Sequence, residues 1–154
     1  MWNRLRQFNA LPPPARLLFV RAAVLLPAVA LSLKVRGFLA TQKSLQKNAR
    51  PASLQSDTSA WADQQTGWCV RMVNAAAREL WPMSTCLERS LVLWQLLGRS
   101  GIVSAVRIGA RKVEGDFEAH AWVERNGEPL NDREFAHRLY PAFEAAFPLQ
   151  LEIS

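Results

Sequence analysis

The sequence predicts an α+β domain in which N-terminal helices pack with an antiparallel sheet. Apolar residues recur at helical spacing over 17–38 and over 61–80, which predicts two helices. A third helix is predicted over 84–100, and apolar and polar residues then alternate over 103–110 and 119–124 as they do in half-buried strands. A run of helices followed by a run of strands is typical of the α+β class.

Length and composition favour a single folded unit with two differently charged parts. The chain has 154 residues, of which 49% are hydrophobic and 21% charged, and this balance suits a packed core. We place a basic helical arm and linker at 1–60 and the sheet-bearing domain at 61–154. Residues 1–50 hold nine Lys or Arg and no Asp or Glu, whereas 51–154 hold ten basic and thirteen acidic residues, a net charge of −3.

The basic arm is suited to an acidic partner or an anionic membrane surface, or it is a solvated helix face. We expect no nucleic acid as partner, because the arm has no compact Arg-rich run with interleaved aromatic residues. Its helix is predicted to begin at the prolines of 12–14 and to reach about Thr41, with a kink at Pro27. The charge-free run Ala22 to Leu33 has twelve residues, whereas a membrane-spanning helix needs about twenty, so we expect no span.

Cys86 lies at the predicted start of the third helix. Ser84 or Thr85 can cap this N-terminus, Pro82 disfavours helix before it, and Gly101 supplies the C-terminal stop. The cysteine is therefore expected among unpaired N–H groups at the positive end of the helix dipole. Such a position stabilises a thiolate, which is the form that attacks a carbonyl carbon.

The segment 119–132 predicts a β-hairpin with His120 on one strand and Asp132 on the other. Its first half alternates small or apolar residues with polar ones, and Asn126-Gly127 is a turn signal. A cysteine at a helix start and a histidine backed by a carboxylate are the parts of a thiol nucleophile site.

The length of the hairpin loop decides whether these two residues meet. If the loop is the three residues 125–127, Glu124 pairs with Glu128. That register sets His120 opposite Asp132, with Cβ atoms roughly 5 Å apart, a distance that suits a carboxylate orienting an imidazole. A two-residue Asn-Gly turn would break the match.

The remaining chemistry-bearing residues predict no cofactor and no metal. The sequence has two cysteines without a CxxC pair and two histidines, which argues against a structural zinc site. It has no Gly-rich motif that cradles phosphates. Cys69 lies within a helical pattern and is expected to be a small buried hydrophobic residue.

The strings CLERSLVLWQLLGRSGI, VRIGARK and FEAHAWVERNGEPLND resemble the transglutaminase-like leader peptidases of bacterial lasso-peptide biosynthesis. The resemblance is strong over about 81–132 and loose over the N-terminal helices. It implies a papain-like or transglutaminase-like fold. It also implies a triad in which Cys86 is the nucleophile, His120 the base and Asp132 the orienting carboxylate. In that family the triad removes the leader from a ribosomally made precursor peptide.

The resemblance further implies a precursor peptide as substrate and a bacterial cytoplasmic location, with membrane association as an alternative. Family members carry a leader-recognition domain or work with a separate recognition protein. No sheet-plus-helix pattern suited to such a domain precedes residue 60, so we expect a separate recognition protein and a downstream ring-closing ligase. A transamidase with the same triad and a non-catalytic leader-binding module stay open, and Glu118 is the alternative to Asp132 as the acid.

Overall fold

A computed structural model describes residues 9–49, 60–131, 138–142 and 147–148 of the chain. Within these residues three helices are followed by a four-stranded antiparallel sheet, which confirms the predicted α+β class. The helices are α1 (Pro13–Gln46), α2 (Ala60–Leu80) and α3 (Cys86–Arg99). The strands are β1 (Ala105–Val113), β2 (Asp116–Arg125), β3 (Glu128–Pro129) and β4 (Phe147–Pro148), and their order across the sheet is β3-β2-β1-β4.

The central element of the fold is α3, in which every residue from Ser90 to Gly98 is buried. Both other helices pack against it, and β2 packs against it as well. Leu18, Leu26 and Val29 of α1 belong to the same apolar cluster as the leucines of α3. The described part of residues 1–60 is thus packed on the rest of the chain, and the predicted domain boundary at residue 60 stays a prediction.

The helices begin where the sequence places them, and α1 extends further than predicted. Pro12 precedes its first turn in an extended conformation, and the helix continues beyond Thr41 to Gln46. The backbone leaves helical angles at Gly37, with φ 78° and ψ 178°, ten residues beyond Pro27. Glycine adopts a positive φ at little steric cost, which explains why the break lies there.

The sheet presents one face to α3. Val106 of β1 lies opposite Val123 of β2, and Ile108 lies opposite Ala121. Because side chains alternate along a strand, these four share one face, and both valines belong to the core cluster. The strand predicted from the alternation over 103–110 is confirmed.

Gly109 interrupts neither the strand nor its direction. It lies inside β1, which continues to Val113 and returns through a tight turn at Glu114 and Gly115, both with positive φ. The close approach of Tyr140 explains why residue 109 is a glycine. A Cβ at position 109 would come within 2.8 Å of the Tyr140 carbonyl oxygen, so a side chain would push this segment away.

The hairpin register predicted for His120 is wrong. The turn is the two-residue Asn126-Gly127, and Arg125 pairs with Glu128. Both turn residues have positive φ, 53° and 80°, as a type I′ turn requires. This turn is favoured because its twist matches that of the flanking strands. The three-residue loop on which the pairing of His120 with Asp132 depended is therefore not the one observed.

Candidate active site

Cys86 is the first residue of α3, and its side chain is partly exposed. Thr85 caps the helix: its hydroxyl accepts a bond from the N–H of Glu88, and the Glu88 carboxylate accepts one from the N–H of Thr85. This reciprocal capping box fixes the direction in which the chain enters the helix. The predicted helix start, with Thr85 rather than Ser84 as the cap, is confirmed.

The capping box leaves two backbone N–H groups at the start of α3 available to an anion. The first four N–H groups of a helix, counted from the cap residue, have no partner within it, and the capping box satisfies those of Thr85 and Glu88. The N–H groups of Cys86 and Leu87 make no bond to another part of the described chain. They lie at the positive end of the dipole, where an oxyanion that develops on a carbonyl bound at Cys86 would be stabilised.

The first turns of α3 lie against one edge of β2. Ser90, one turn after Cys86, donates from Oγ to the Ala121 carbonyl over 3.1 Å. Asn131 completes a small network: its Nδ2 donates to Ser90 Oγ over 3.0 Å, and its Oδ1 accepts from the Val123 N–H over 2.8 Å. Side chains thus take the place of a partner strand along this part of β2.

The direction of α3 brings Cys86 toward His120. Near the other end of the helix, Trp94 Nε1 donates to the carbonyl of Ser104, the residue before β1. The helix therefore runs from the His120 end of the sheet toward the end where β1 begins. One turn of about 5.4 Å separates Cys86 from Ser90, so the thiol lies beyond Ala121 on the side of His120.

His120 occupies the sheet face opposite the core. Its ring stacks on that of Trp122, with 5.7 Å between the centroids, and the Tyr140 ring lies 5.3 Å away. Trp122 Nε1 in turn donates to Glu124 over 2.8 Å. The imidazole is therefore held from two sides by aromatic rings, which limits its rotation.

The structure thus brings Cys86 and His120 to the same end of the fold. Within the described residues no hydrogen bond joins the two side chains. The ring faces away from the valines that contact α3, so the thiol and the imidazole can approach each other only around the edge of β2. Asp132, the third predicted site residue, lies outside the described residues.

Glu118, the alternative acid, is already engaged. Its Oε2 accepts bonds from Arg111 Nε and Nη2, at 2.9 and 2.8 Å, and from the Tyr140 hydroxyl at 3.1 Å. The Arg111 hydrogen bond, and then that of Tyr140, lowers the pKa of the Glu118 carboxyl below its usual value. Glu118 therefore holds Tyr140 beside His120 as an ionised carboxylate.

Cys69 differs from Cys86 in every respect that matters for reactivity. It lies inside α2 with no exposed surface, and burial raises its pKa to about 12. A thiol that stays neutral in an apolar environment is a poor nucleophile. The prediction that Cys69 is a buried small hydrophobic residue is confirmed.

A groove with a volume of about 380 Å³ adjoins the N-terminus of α3. It lies between α1 and the segment that joins α2 to α3, and most of its lining is apolar. The lining residues are Leu26, Pro27, Ala30, Lys34, Leu80, Trp81, Pro82, Met83, Ser84 and Glu88. Glu88 and Cys86 lie about 200° apart around the helix, so the groove and the thiol flank the helix end from different sides.

A search of curated proteins and a search of solved structures found no match for this chain. A family model, described as transglutaminase-like superfamily, matches residues 22–144. The chain belongs to the transglutaminase-like superfamily. The match includes Cys86 and His120 and also most of α1, so the family domain begins well before residue 60. Membership in this superfamily, whose members are generally cysteine-based enzymes, makes Cys86 the candidate nucleophile.

The network around Asn131 is the part of the site that the sequence did not reveal. Asn131 and Ser90 are 41 positions apart, and nothing in their local patterns links them. The only available signal is the position of Asn131 directly before Asp132 and after a short hairpin. In the described residues no group of three His, Cys, Asp or Glu side chains is arranged to hold a metal ion.

Proposed function

We propose that this protein is a cysteine peptidase that removes the leader from a ribosomally made lasso-peptide precursor. The observation that carries the proposal is the position of Cys86. It is a partly exposed thiol at the first residue of a capped helix, and that helix lies beside the strand that bears His120. Membership in the superfamily supports cysteine-based chemistry, and the resemblance of the three sequence strings supports the choice of reaction and substrate class.

The proposed reaction proceeds through a thioester. His120 takes the proton of the Cys86 thiol, and Sγ attacks the carbonyl carbon of the scissile bond. The backbone N–H groups of Cys86 and Leu87 stabilise the oxyanion, and His120 then gives its proton to the departing amine. Water attacks the thioester with His120 again as base, which releases the acid and restores the thiol. Asp132 orients the imidazole and stabilises its charged form.

The proposed partners follow from the same resemblance. The substrate is a precursor peptide, a separate small protein recognises its leader, and a ring-closing ligase uses the trimmed product. These proteins act together in the bacterial cytoplasm in this proposal. A precursor whose leader is bound by another protein still has to place its scissile bond at the N-terminus of α3. The groove beside Glu88 can bind an apolar side chain of the precursor near that bond.

The test uses the precursor peptide with and without its recognition protein, read by mass spectrometry. Cys86→Ala should abolish cleavage, because a methyl group forms no thioester, while Cys69→Ala should retain it. His120→Ala should lose nearly as much as Cys86→Ala, and the double variant little more, since residues that act as a unit are not additive. Full cleavage by Cys86→Ala would rule out the thiol mechanism.

The same assay separates the alternatives. A transamidase would transfer the acyl group to an added amine in preference to water, and mass spectrometry would detect the amide. A non-catalytic leader-binding module would bind the precursor equally well as wild type and as the Cys86→Ala variant, and neither protein would yield product. Asp132→Asn should lower turnover with little change in substrate affinity; unchanged turnover would remove Asp132 from the triad.

A further inference from the structure

Helix α1 is apolar on two opposite faces. Its inner row is buried against the rest of the protein and consists of Ala15, Leu18, Ala22, Leu26 and Val29. Its outer row consists of Leu17, Val20, Val24, Leu31 and Val35, each between 49% and 74% exposed. At about 100° per residue, the outer row stays within an arc of about 60° on the side opposite the inner row. It is about 27 Å long at the rise of an α-helix.

Exposed cations flank this outer row on both sides. Arg21 lies on one side and Lys34 on the other, each about 70° from the middle of the row, and both are exposed. Residues 9–49 hold six Lys or Arg and no Asp or Glu. An anionic lipid bilayer has negatively charged headgroups at its surface and apolar acyl chains beneath them. An aliphatic row flanked by cations complements both layers.

The arrangement disfavours two other occupants of the outer row. If a second copy packed there, the cations of both copies would be brought together without an acidic residue between them. The packing of α1 also disfavours insertion of this helix across a bilayer. By length and composition α1 could span, but its inner row packs on α2 and α3. Asp63, Arg78 and Glu88 of those helices would then enter hydrocarbon, at about 2.5–3.5 kcal/mol for each charge near the centre.

We propose that the outer row of α1 binds an anionic membrane surface, with the helix axis parallel to the bilayer. The row enters the boundary between headgroups and acyl chains, and Arg21 and Lys34 contact lipid phosphates. The row points away from α2 and α3, so the N-terminus of α3 and Cys86 remain in water. This proposal does not depend on the reaction that Cys86 carries out.

Sedimentation of the full-length protein with vesicles tests it. One set of vesicles is phosphatidylcholine with a quarter phosphatidylglycerol, and the other is phosphatidylcholine alone. We expect binding to the first set at low salt and weaker binding as salt rises, because the screening length shortens to about 8 Å at physiological ionic strength. Binding to the neutral vesicles should be at least about tenfold weaker, since each basic residue near an anionic surface adds to the attraction.

Matched variants test whether binding depends on the outer row itself or on exposed apolar residues and positive charge anywhere on the surface. Val24→Gln, Leu31→Gln and Val35→Gln together should reduce binding at least about tenfold, because the apolar area that enters the bilayer is lost. Three exposed apolar residues elsewhere serve as the control, changed to Gln together: Met83, Val103 and Leu139. Arg21→Gln with Lys34→Gln should weaken binding several-fold more than Arg71→Gln with Arg99→Gln, which removes the same net charge at exposed positions on α2 and α3.

Three results would overturn the proposal. The first is no binding to anionic vesicles at low salt by the folded full-length protein. The second is binding that the outer-row and control variants weaken equally. The third is a dimer in light scattering that the outer-row variant converts to monomer, because a second copy would then be the occupant. Circular dichroism melting of each variant confirms that it is folded, which the exposure of every substituted residue leads us to expect.

Discussion

Replacing Asn131 by Ala should destabilise the protein and slow the reaction together. The change leaves the Val123 N–H, in a residue with no exposed surface, without its acceptor, at a cost of about 1–3 kcal/mol. It also removes the bond from Nδ2 to Ser90 Oγ, worth about 0.5–1.5 kcal/mol. We expect a total loss of about 2–4 kcal/mol, which a domain with about 5–15 kcal/mol of stability survives.

Urea unfolding followed by tryptophan fluorescence measures this loss, since Trp94 and Trp122 are buried beside the network. Ser90→Ala is the comparison variant: it keeps the bond to Val123 but removes both the partner of Nδ2 and the donor to the Ala121 carbonyl, so we expect about 1–3 kcal/mol. The double variant should be less destabilised than the sum of the two, with a coupling of at least about 0.5 kcal/mol. An Asn131→Ala variant within about 0.5 kcal/mol of the wild type would refute the reasoning.

Three other predictions concern the cap, the glycine and the buried thiol. Thr85→Ala should cost about 1 kcal/mol in a melting experiment and lower kcat more than it raises KM, because it loosens the turn that presents Cys86; Thr85→Ser should restore both. Gly109→Ala should cost about 1–3 kcal/mol by forcing Tyr140 away from β1, and unchanged stability would contradict the close approach seen there. The pKa of Cys69 rises on folding from 9.0 to about 12, so the unfolded chain loses this proton first as pH rises. Above pH 9 the free energy of unfolding of the wild type should therefore fall more steeply with pH than that of Cys69→Ala, by up to about 1.4 kcal/mol per pH unit. Identical pH profiles of the two proteins would show that Cys69 is not buried.

The parts of the fold and site that sequence reasoning predicted are those set by local chemistry. Thr85 and Glu88 are three positions apart, which is the spacing of a capping box, and Cys86 follows the cap directly. The positive φ of Gly101 at the end of α3 is likewise a local requirement. Apolar residues at helical spacing gave α2 its limits, because a helix with one buried face must repeat its apolar residues every three or four positions.

The parts that it did not predict depend on distant residues or on a choice between similar turns. The role of Gly109 is one such part, because nothing near it in the sequence discloses the approach of Tyr140, 31 positions later. The hairpin loop is another, since the sequence is compatible with a three-residue loop at 125–127 and with a two-residue turn at 126–127. Two-residue Asn-Gly turns are the more favoured hairpin connection, and that local preference decided the register.

The observed register removes the argument that strand pairing alone sets a carboxylate opposite His120. The last described residue of the hairpin segment, Asn131, is instead held by side-chain bonds to Ser90 of α3 and to the Val123 N–H of β2. In the proposed triad Asp132 is the next residue along the chain. We therefore expect this network to matter for the proposed acid as well as for stability.

Glu118 and Asp132 can be told apart by what each would do to His120. Glu118 accepts three hydrogen bonds on one oxygen, from Arg111 and Tyr140, and it reaches His120 only through the Tyr140 ring. Glu118→Gln should therefore loosen that ring and lower kcat several-fold, and Tyr140→Phe, which keeps the ring but loses the hydroxyl, should lower it to a similar extent. Asp132→Asn should cost far more, because it removes the charge that stabilises the imidazolium. If Glu118→Gln proves the more damaging of the two, then Glu118 is the acid of the site and the triad is Cys86, His120 and Glu118.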